Sequence, residues 1–125
     1  MNLEKVIFGF FVVLAATLNF GFLIGDITNP LLHNKYELFA AIVVNLIATV
    51  LKFGDRTQLG AVHLSTSLVA SLQLIAAGLY WALAAQSGIT EAEMASIVSL
   101  AAGAFLANLV SVILLISETI SFSRR

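Results

Sequence analysis

Two things are scarce in this sequence. It has no cysteine, and charged residues make up only 10% of its 125 positions. Without cysteine, disulfide bonds and thiolate metal sites are excluded. A soluble domain needs about 25% charged residues to cover its surface. Much of this surface must therefore face lipid, and the hydrophobic fraction of 60% with a mean hydropathy of +1.02 supports the same conclusion.

The sequence also lacks the motifs that mark common chemistries. No serine stands in a GxSxG pattern, no glycine-rich loop follows a strand pattern, and no pair of carboxylates lies within an apolar segment. The net charge of −1 and the lack of a basic run give no support for nucleic-acid binding. His33 and His63 have no partner at metal-ligand spacing. We therefore expect no enzyme activity, no cofactor, no metal and no nucleic-acid partner.

Four apolar segments fill most of the chain, since a membrane-spanning helix needs about 20 apolar residues. They predict an all-α membrane protein with a single transmembrane domain, residues 1–125. The first segment is expected to be a retained helix rather than a cleaved signal, because no small-x-small site precedes a soluble chain. The predicted spans are Val6–Gly25, Pro30–Phe53, Val62–Ala85 and Glu91–Ile116.

Local signals set the ends of the second and fourth helices. Pro30 suits the first helical position, with Thr28 or Asn29 as the N-terminal cap. Gly54 suits the C-terminal cap of the same helix. The run Thr90-Glu91-Ala92-Glu93 is a capping box, in which the threonine and the second glutamate satisfy each other's backbone N–H groups.

Small residues mark the predicted helix–helix contacts. Span 1 carries Gly21 and Gly25 in a GxxxG pattern, which lets another helix approach closely. Span 4 has a small residue at every fourth position, a longer and more specific signal for a packing seam. Its members are Ala95, Ser99, Gly103, Ala107 and Ser111.

The chain reads as two copies of one helical hairpin. Ile27-Thr28 recurs as Ile89-Thr90, and Asn45-Leu46 recurs as Asn108-Leu109. The distance along the chain between the two Ile-Thr pairs is one residue shorter than that between the two Asn-Leu pairs, and one inserted residue explains the difference. We predict a parallel duplication with units 1–60 and 61–125, although chance similarity between apolar helices remains the alternative.

Basic residues predict the orientation by the positive-inside rule. If the N-terminus is cytoplasmic, Lys35 alone lies outside, and His33 and His63 fall on opposite sides. The cytoplasmic side then holds Lys5, Lys52, Arg56, Arg124 and Arg125. Both termini are therefore predicted to be cytoplasmic.

Each predicted span carries one carboxamide side chain. These are Asn19, Asn45, Gln73 and Asn108. A buried amide in a membrane must find a polar partner, because an unsatisfied polar group there costs several kcal/mol. Two interpretations stay open: hydrogen bonds that fix the helices against each other, which amides without charges usually form, or the lining of a path for ions or water.

A charged turn closes the second helix. Its residues Lys52, Asp55 and Arg56, with Glu118 at the equivalent end of the other hairpin, predict a cytoplasmic charge cluster. Exposed ion pairs are worth at most about 1 kcal/mol, so the cluster is read first as a solvated membrane-edge turn. The alternative is a docking site for a cytosolic partner or for anionic lipid headgroups.

The run FAAIVVNLIATVLKFGDRTQ, followed by LANLVSVILLISETIS, resembles a small bacterial inner-membrane family of unknown function. The resemblance covers nearly the whole chain, and the family is associated with potassium-transport proteins. It implies a bacterial inner-membrane location and an involvement in ion transport, and it implies no functional residues.

Two functions follow as hypotheses. The first is an oligomeric membrane protein that serves ion movement, as a small channel or as an accessory subunit of a channel or transporter. Because four short helices leave little room inside, a pore is expected on the axis of a homo-oligomer. The second is a structural or assembly protein of the membrane, with protein partners and no transport of its own.

Overall fold

The structure, a computed structural model, describes residues 3–24, 29 and 33–123. These residues form four α-helices and no strand: α1 (Leu3–Leu23), α2 (Lys35–Lys52), α3 (Gln58–Ala84) and α4 (Glu91–Ser123). The all-α prediction is confirmed. Three helices, α1, α3 and α4, are long and apolar enough to cross a membrane. The remaining helix, α2, has 18 residues and carries Lys35, Glu37 and Lys52 near its ends.

The second helix begins later than the sequence predicted. Asn34 is its N-terminal cap, and its side-chain oxygen accepts a hydrogen bond of 2.8 Å from the Tyr36 N–H. A start at Pro30 with Thr28 or Asn29 as the cap is therefore wrong for α2, and Thr28 and Pro30 lie outside the described residues. Asparagine is among the best N-terminal caps, so the helix begins where Asn34 satisfies its first turn.

The turn between α2 and α3 is shorter than predicted. Phe53, not Gly54, is the C-terminal cap of α2. Thr57 caps α3 by accepting a bond of 2.9 Å from the Gly60 N–H, so α3 begins at Gln58 rather than at Val62. Of the described glycines, Gly88 alone has a positive φ, of 86°. Gly54 is therefore not the left-handed cap that its position suggested.

The capping box at the start of α4 is confirmed. Thr90 Oγ1 accepts a bond of 3.2 Å from the Glu93 N–H, and Glu93 Oε1 accepts one of 3.0 Å from the Thr90 N–H. The helix continues beyond the predicted end at Ile116, as far as Ser123. Glu118 is therefore a helical residue rather than part of a tail.

The four helices pack in a ring, with α1 against α2, α2 against α3, α3 against α4, and α4 against α1. We call the end that holds the α1 N-terminus and the turn 53–57 the proximal end, and the opposite end the distal end. A large apolar cluster fills the distal half of the core, and it includes Phe22, Leu38, Leu74, Met94 and Ile97. A smaller cluster near the proximal end contains Phe8, Val12 and Ala48.

Candidate functional site

Buried polar side chains lie between the two apolar clusters and beside the smaller one. Every helix contributes at least one, because each has a polar residue on the face that it turns toward the ring's interior. We call these residues the buried polar layer. They are Asn19, Asn45, Thr49, His63, Ser67, Ser71, Asn108 and Ser111.

Two hydrogen bonds in the buried polar layer cross between helices. Thr49 Oγ1 lies 3.2 Å from Ser71 Oγ, which joins α2 to α3. His63 Nδ1 lies 2.6 Å from Ser111 Oγ, which joins α3 to α4. The Nδ2 group of Asn45 donates instead to the Ala41 carbonyl of its own helix, at 3.1 Å. Hydroxyl and imidazole groups, rather than the amides, therefore make the cross-links.

Several polar atoms here have no hydrogen-bond partner within the described part of the chain. Leaving such an atom unsatisfied costs about 1–3 kcal/mol. All four helices contribute at least one, so the interior retains unused donors and acceptors. They are both polar atoms of Asn19, Oδ1 of Asn45, Nε2 of His63, Oε1 of Gln73 and Nδ2 of Asn108.

Contacts between helices place three of the amides near one level. The Phe20 and Phe105 rings lie 5.6 Å apart, which sets α1 beside α4. Asn108 is one helical turn beyond Phe105, so it lies within about 5 Å of the level of Asn19 along the axis. The Gln73 carboxamide lies against Gly103. At 1.5 Å per residue, it is about 7 Å from the level of Asn108.

Two of the predicted small residues leave space for polar side chains of neighbouring helices. A Cβ atom on Gly103 would overlap the Gln73 carboxamide, and one on Gly21 would overlap the Glu37 carboxylate. Gly25 lies outside the described residues.

The predicted stripe on α4 lies at the edge of the packed face. Ser99 is exposed, Ala95, Gly103 and Ala107 are half-buried, and Ser111 is buried. The most buried positions of the helix stand beside the stripe. They are Met94, Ile97, Ala101, Ala104 and Asn108.

A cavity of about 720 Å³ opens at the proximal end, among the ends of all four helices. Apolar side chains such as Phe8 and Leu51 form part of its wall, and His63 also lines it. The other ionisable side chains that line it are Glu4, Lys5, Lys52, Asp55, Arg56 and Glu118.

The predicted charge cluster comes together around this cavity. Lys5 forms a salt bridge with Glu118, which links the first turn of α1 to the last turns of α4. Lys52 Nζ lies 3.4 Å from Asp55 Oδ2 and 4.4 Å from the centre of the Phe8 ring. Sequence reasoning assigned Lys52, Asp55 and Glu118 to the cluster but missed Lys5, because its partner is far along the chain.

Asp55 shapes the turn that forms one wall of the cavity. Its Oδ1 accepts bonds from the Thr57 N–H at 2.9 Å and the Thr57 hydroxyl at 2.7 Å. These two bonds, with a smaller contribution from Lys52, hold the pKa of the Asp55 carboxyl below its usual value. Asp55 is therefore an ionised residue of the turn at neutral pH.

The two histidines lie at opposite ends of the bundle. His33 Nδ1 bonds to the Phe22 carbonyl at 2.6 Å, near the distal end. His63 is buried, and its ring meets the Phe8 ring edge-on at 5.1 Å. The described residues contain no group of three His, Cys, Asp or Glu side chains that could hold a metal ion.

Sequence reasoning placed His63 on the side of the membrane opposite His33 and did not assign it to the interior. Its partner Ser111 was read as a small packing residue. The bonds from His63 to Ser111 and from Thr49 to Ser71 were not predicted. Spacing is the one signal that points to these residues: His63, Ser67 and Ser71 recur every fourth residue, and Asn45 and Thr49 do the same.

Exposed apolar side chains on every helix, with three helices long and apolar enough to cross a bilayer, define a helical protein suited to a membrane. The chain belongs to the family of unknown function DUF6394, which matches residues 32–119. This match covers α2, α3 and most of α4. No curated protein and no solved structure matches the chain.

Proposed function

We propose that this protein is a four-span protein of a bacterial inner membrane that serves ion movement, as a small channel or as an accessory subunit of a channel or transporter. The observation that carries the proposal is the buried polar layer, whose unpartnered atoms lie on all four helices. Buried polar groups within membrane helices are costly, and they commonly mark ion or proton pathways. The resemblance to a family associated with potassium transport supports the same class of function.

The exterior supports a position inside the bilayer. Large apolar side chains are exposed on every helix, as Phe10, Val50, Leu72 and Leu106 illustrate. In this proposal α2 also crosses the membrane and brings the number of spans to four, because its uncharged stretch from Leu38 to Leu51 is buried in lipid and protein. Lys35 and Lys52 then reach the two interfaces. The proximal end faces the cytoplasm, with the basic residues of the turn and both termini.

The polar path runs inside each chain rather than along an oligomer axis. Ser67, Ser71 and Ser111 are buried within the bundle, so they do not face an axis between chains. An axis between chains would be lined mainly by apolar side chains. Copies of the chain associate through these exteriors in our proposal, and each copy keeps its own path.

The path is unequal at its two ends. The proximal cavity reaches His63, whereas the distal half of the core is filled by apolar side chains such as Phe22, Leu74 and Met94. Apolar constrictions stop ions by excluding water. The path is therefore closed at the distal end, and it opens only if the apolar side chains of the distal core separate.

The second candidate function is a structural or assembly protein. The bonds from Thr49 to Ser71 and from His63 to Ser111 favour it, because they fix neighbouring helices. In this case the charged proximal cavity receives a cytosolic or membrane protein partner. The two candidates differ in whether polar side chains in the interior affect ion flux.

Flux measurements on purified protein in liposomes test the first candidate. Potassium, sodium and proton fluxes are compared for the wild type, Asn45→Leu and Gln73→Leu. Thr17→Val is the matched control, because Thr17 is exposed and bonds to the Val13 carbonyl of its own helix. We expect flux in the wild type and the control, and loss of flux in the two amide variants. Liposomes tight to all three ions, with changed oligomer size in the amide variants, would support the assembly function instead.

A further inference from the structure

His63 stands where the proximal cavity meets the buried polar layer. Its side chain lines the cavity, yet only 1% of the residue is exposed. Nδ1 is bonded to Ser111 Oγ at 2.6 Å, and Nε2 has no partner among the described residues. One ring nitrogen is therefore engaged by α4, and the other is a buried, unpartnered atom of a residue that lines the cavity.

The interior does not suit a bare metal cation. Potassium sites replace the hydration shell with rings of carbonyl oxygens, and calcium sites use about 6–8 oxygens. Here the unpartnered atoms include both acceptors and donors: Oδ1 of Asn19 and Asn45 and Oε1 of Gln73, beside Nδ2 of Asn19 and Asn108. The buried polar layer contains no carboxylate. A mixture of donors and acceptors matches water, which does both.

His63 is also the member of the buried polar layer whose ring nitrogens can take up and release a proton. The remaining members are amides and hydroxyls, which carry no such basic group. We propose that the ion this protein moves is the proton, and that His63 transfers it from the cavity to the buried polar layer. This proposal rests on the proposed function, because it names the ion for the same path.

The transfer conserves protons and needs water as the only co-reactant. A proton from water in the cavity binds the Nε2 lone pair, and the ring becomes an imidazolium. The Nδ1 proton then moves to Ser111 Oγ while the hydroxyl proton of Ser111 leaves to a water molecule in the polar layer. The ring is left neutral with its proton on Nε2. Reorientation of the side chain about both of its torsions turns the Nε2–H toward Ser111 and the Nδ1 lone pair toward the cavity, so that a second proton can follow.

Charged groups from every neighbouring element face the cavity that His63 lines. They are Glu4 and Lys5 from α1, Lys52 from α2, Asp55 and Arg56 from the turn, and Glu118 from α4. Glu118 forms an ion pair with Lys5, and Asp55 forms one with Lys52. The cavity is therefore nearly balanced in charge, which leaves His63 to determine the pH response.

Proton flux into liposomes that contain a pH-sensitive dye tests this inference, with a potassium diffusion potential as the driving force. His63→Gln preserves a polar side chain but cannot titrate, and Ser111→Ala removes the next group in the relay. Ser111→Thr keeps the hydroxyl. Ser96→Ala is the matched serine control, because Ser96 is exposed on the same helix and bonds to its own Ala92 carbonyl.

We expect wild-type, Ser96→Ala and Ser111→Thr proteins to carry protons, with a pH dependence that follows a single histidine. Flux in His63→Gln and Ser111→Ala should fall to the level of protein-free liposomes. Circular dichroism and gel filtration check that each variant is folded. If His63→Gln does not fold, the comparison of Ser111→Ala with Ser111→Thr tests the relay.

The outcomes separate this inference from the proposed function. Potassium or sodium flux without proton flux overturns the proton inference and leaves the proposed function standing. Proton flux that is unchanged in His63→Gln overturns the role of His63. Liposomes tight to every ion overturn both the proton inference and the channel version of the proposed function.

Discussion

At the scale of single residues, the orientation of each polar side chain decides its part in the fold. Thr17 and Ser65 are as polar as Thr49 and Ser71, but they face outward and bond only to carbonyls of their own helices. Thr49 and Ser71 face inward and bond across a helix interface. The same residue type is therefore a neutral surface group in one position and a cross-link in the other.

Gly103 provides the space that one interior amide needs. A Cβ atom here would overlap the Gln73 carboxamide, so Gly103→Ala forces that side chain to move. Because the carboxamide ends a flexible side chain, its displacement offsets part of the gain of about 0.5–1 kcal/mol from replacing a helical glycine. We expect Gly103→Ala to change the free energy of unfolding less favourably in the wild type than in a protein without this carboxamide, measured by denaturant titration in detergent micelles.

The control for this prediction is the same substitution with Gln73 already truncated. In a Gln73→Ala background the overlap is absent, so Gly103→Ala should stabilise the protein by about 0.5–1 kcal/mol. A double-mutant cycle therefore gives a coupling between the two sites. Equal effects of Gly103→Ala in the two backgrounds would show that the glycine does not serve Gln73.

At the scale of the elements, the sequence predicts a helix end well where two residues cap each other. Thr90 and Glu93 occur at the spacing that a capping box requires, and α4 begins there. Asn34 and Thr57 each act as a cap through one side chain, within stretches that hold several polar candidates. Sequence alone could not choose between these candidates, because each forms a similar local hydrogen bond.

The capping box gives a prediction about the stability of α4. Thr90→Ala removes the acceptor for the Glu93 N–H, and loss of an N-terminal cap costs about 1 kcal/mol. We expect a lower free energy of unfolding and faster amide exchange in the first turn of α4. Thr17→Ala is the matched control, because the exposed Thr17 hydroxyl bonds within α1 and caps nothing. Equal losses in the two variants would contradict a specific capping role for Thr90.

At the scale of the whole molecule, composition was enough to predict four helices and an all-α fold. The opposite placement of His33 and His63 also followed from counting the helices between them. The proximal cavity and the buried polar layer did not follow, because both depend on which faces the four helices turn toward one another. Apolar side chains surround each helix on nearly all sides, so hydrophobic periodicity gives little indication of the interior face.

The helix α2 decides how many times the chain crosses the membrane. If α2 spans, Tyr36 and Arg56 lie on opposite sides of the bilayer, and Gln86 lies on the side of Tyr36. If α2 lies along the surface, Tyr36 and Arg56 share a side. The two arrangements therefore differ in one observable, the side from which each of these three positions can be reached.

Because the natural chain has no cysteine, each position can carry the only thiol in the protein. We expect a membrane-impermeant thiol reagent outside intact bacterial spheroplasts to label Tyr36→Cys and Gln86→Cys but not Arg56→Cys, and lysis to expose all three. All three positions are exposed in the structure, so burial within the protein cannot account for a lack of labelling. Labelling of Arg56→Cys but not Tyr36→Cys from outside would reverse the predicted orientation. Equal labelling of these two would remove α2 from the membrane, and with it the need for a hydrogen-bonded Asn45 in the hydrocarbon.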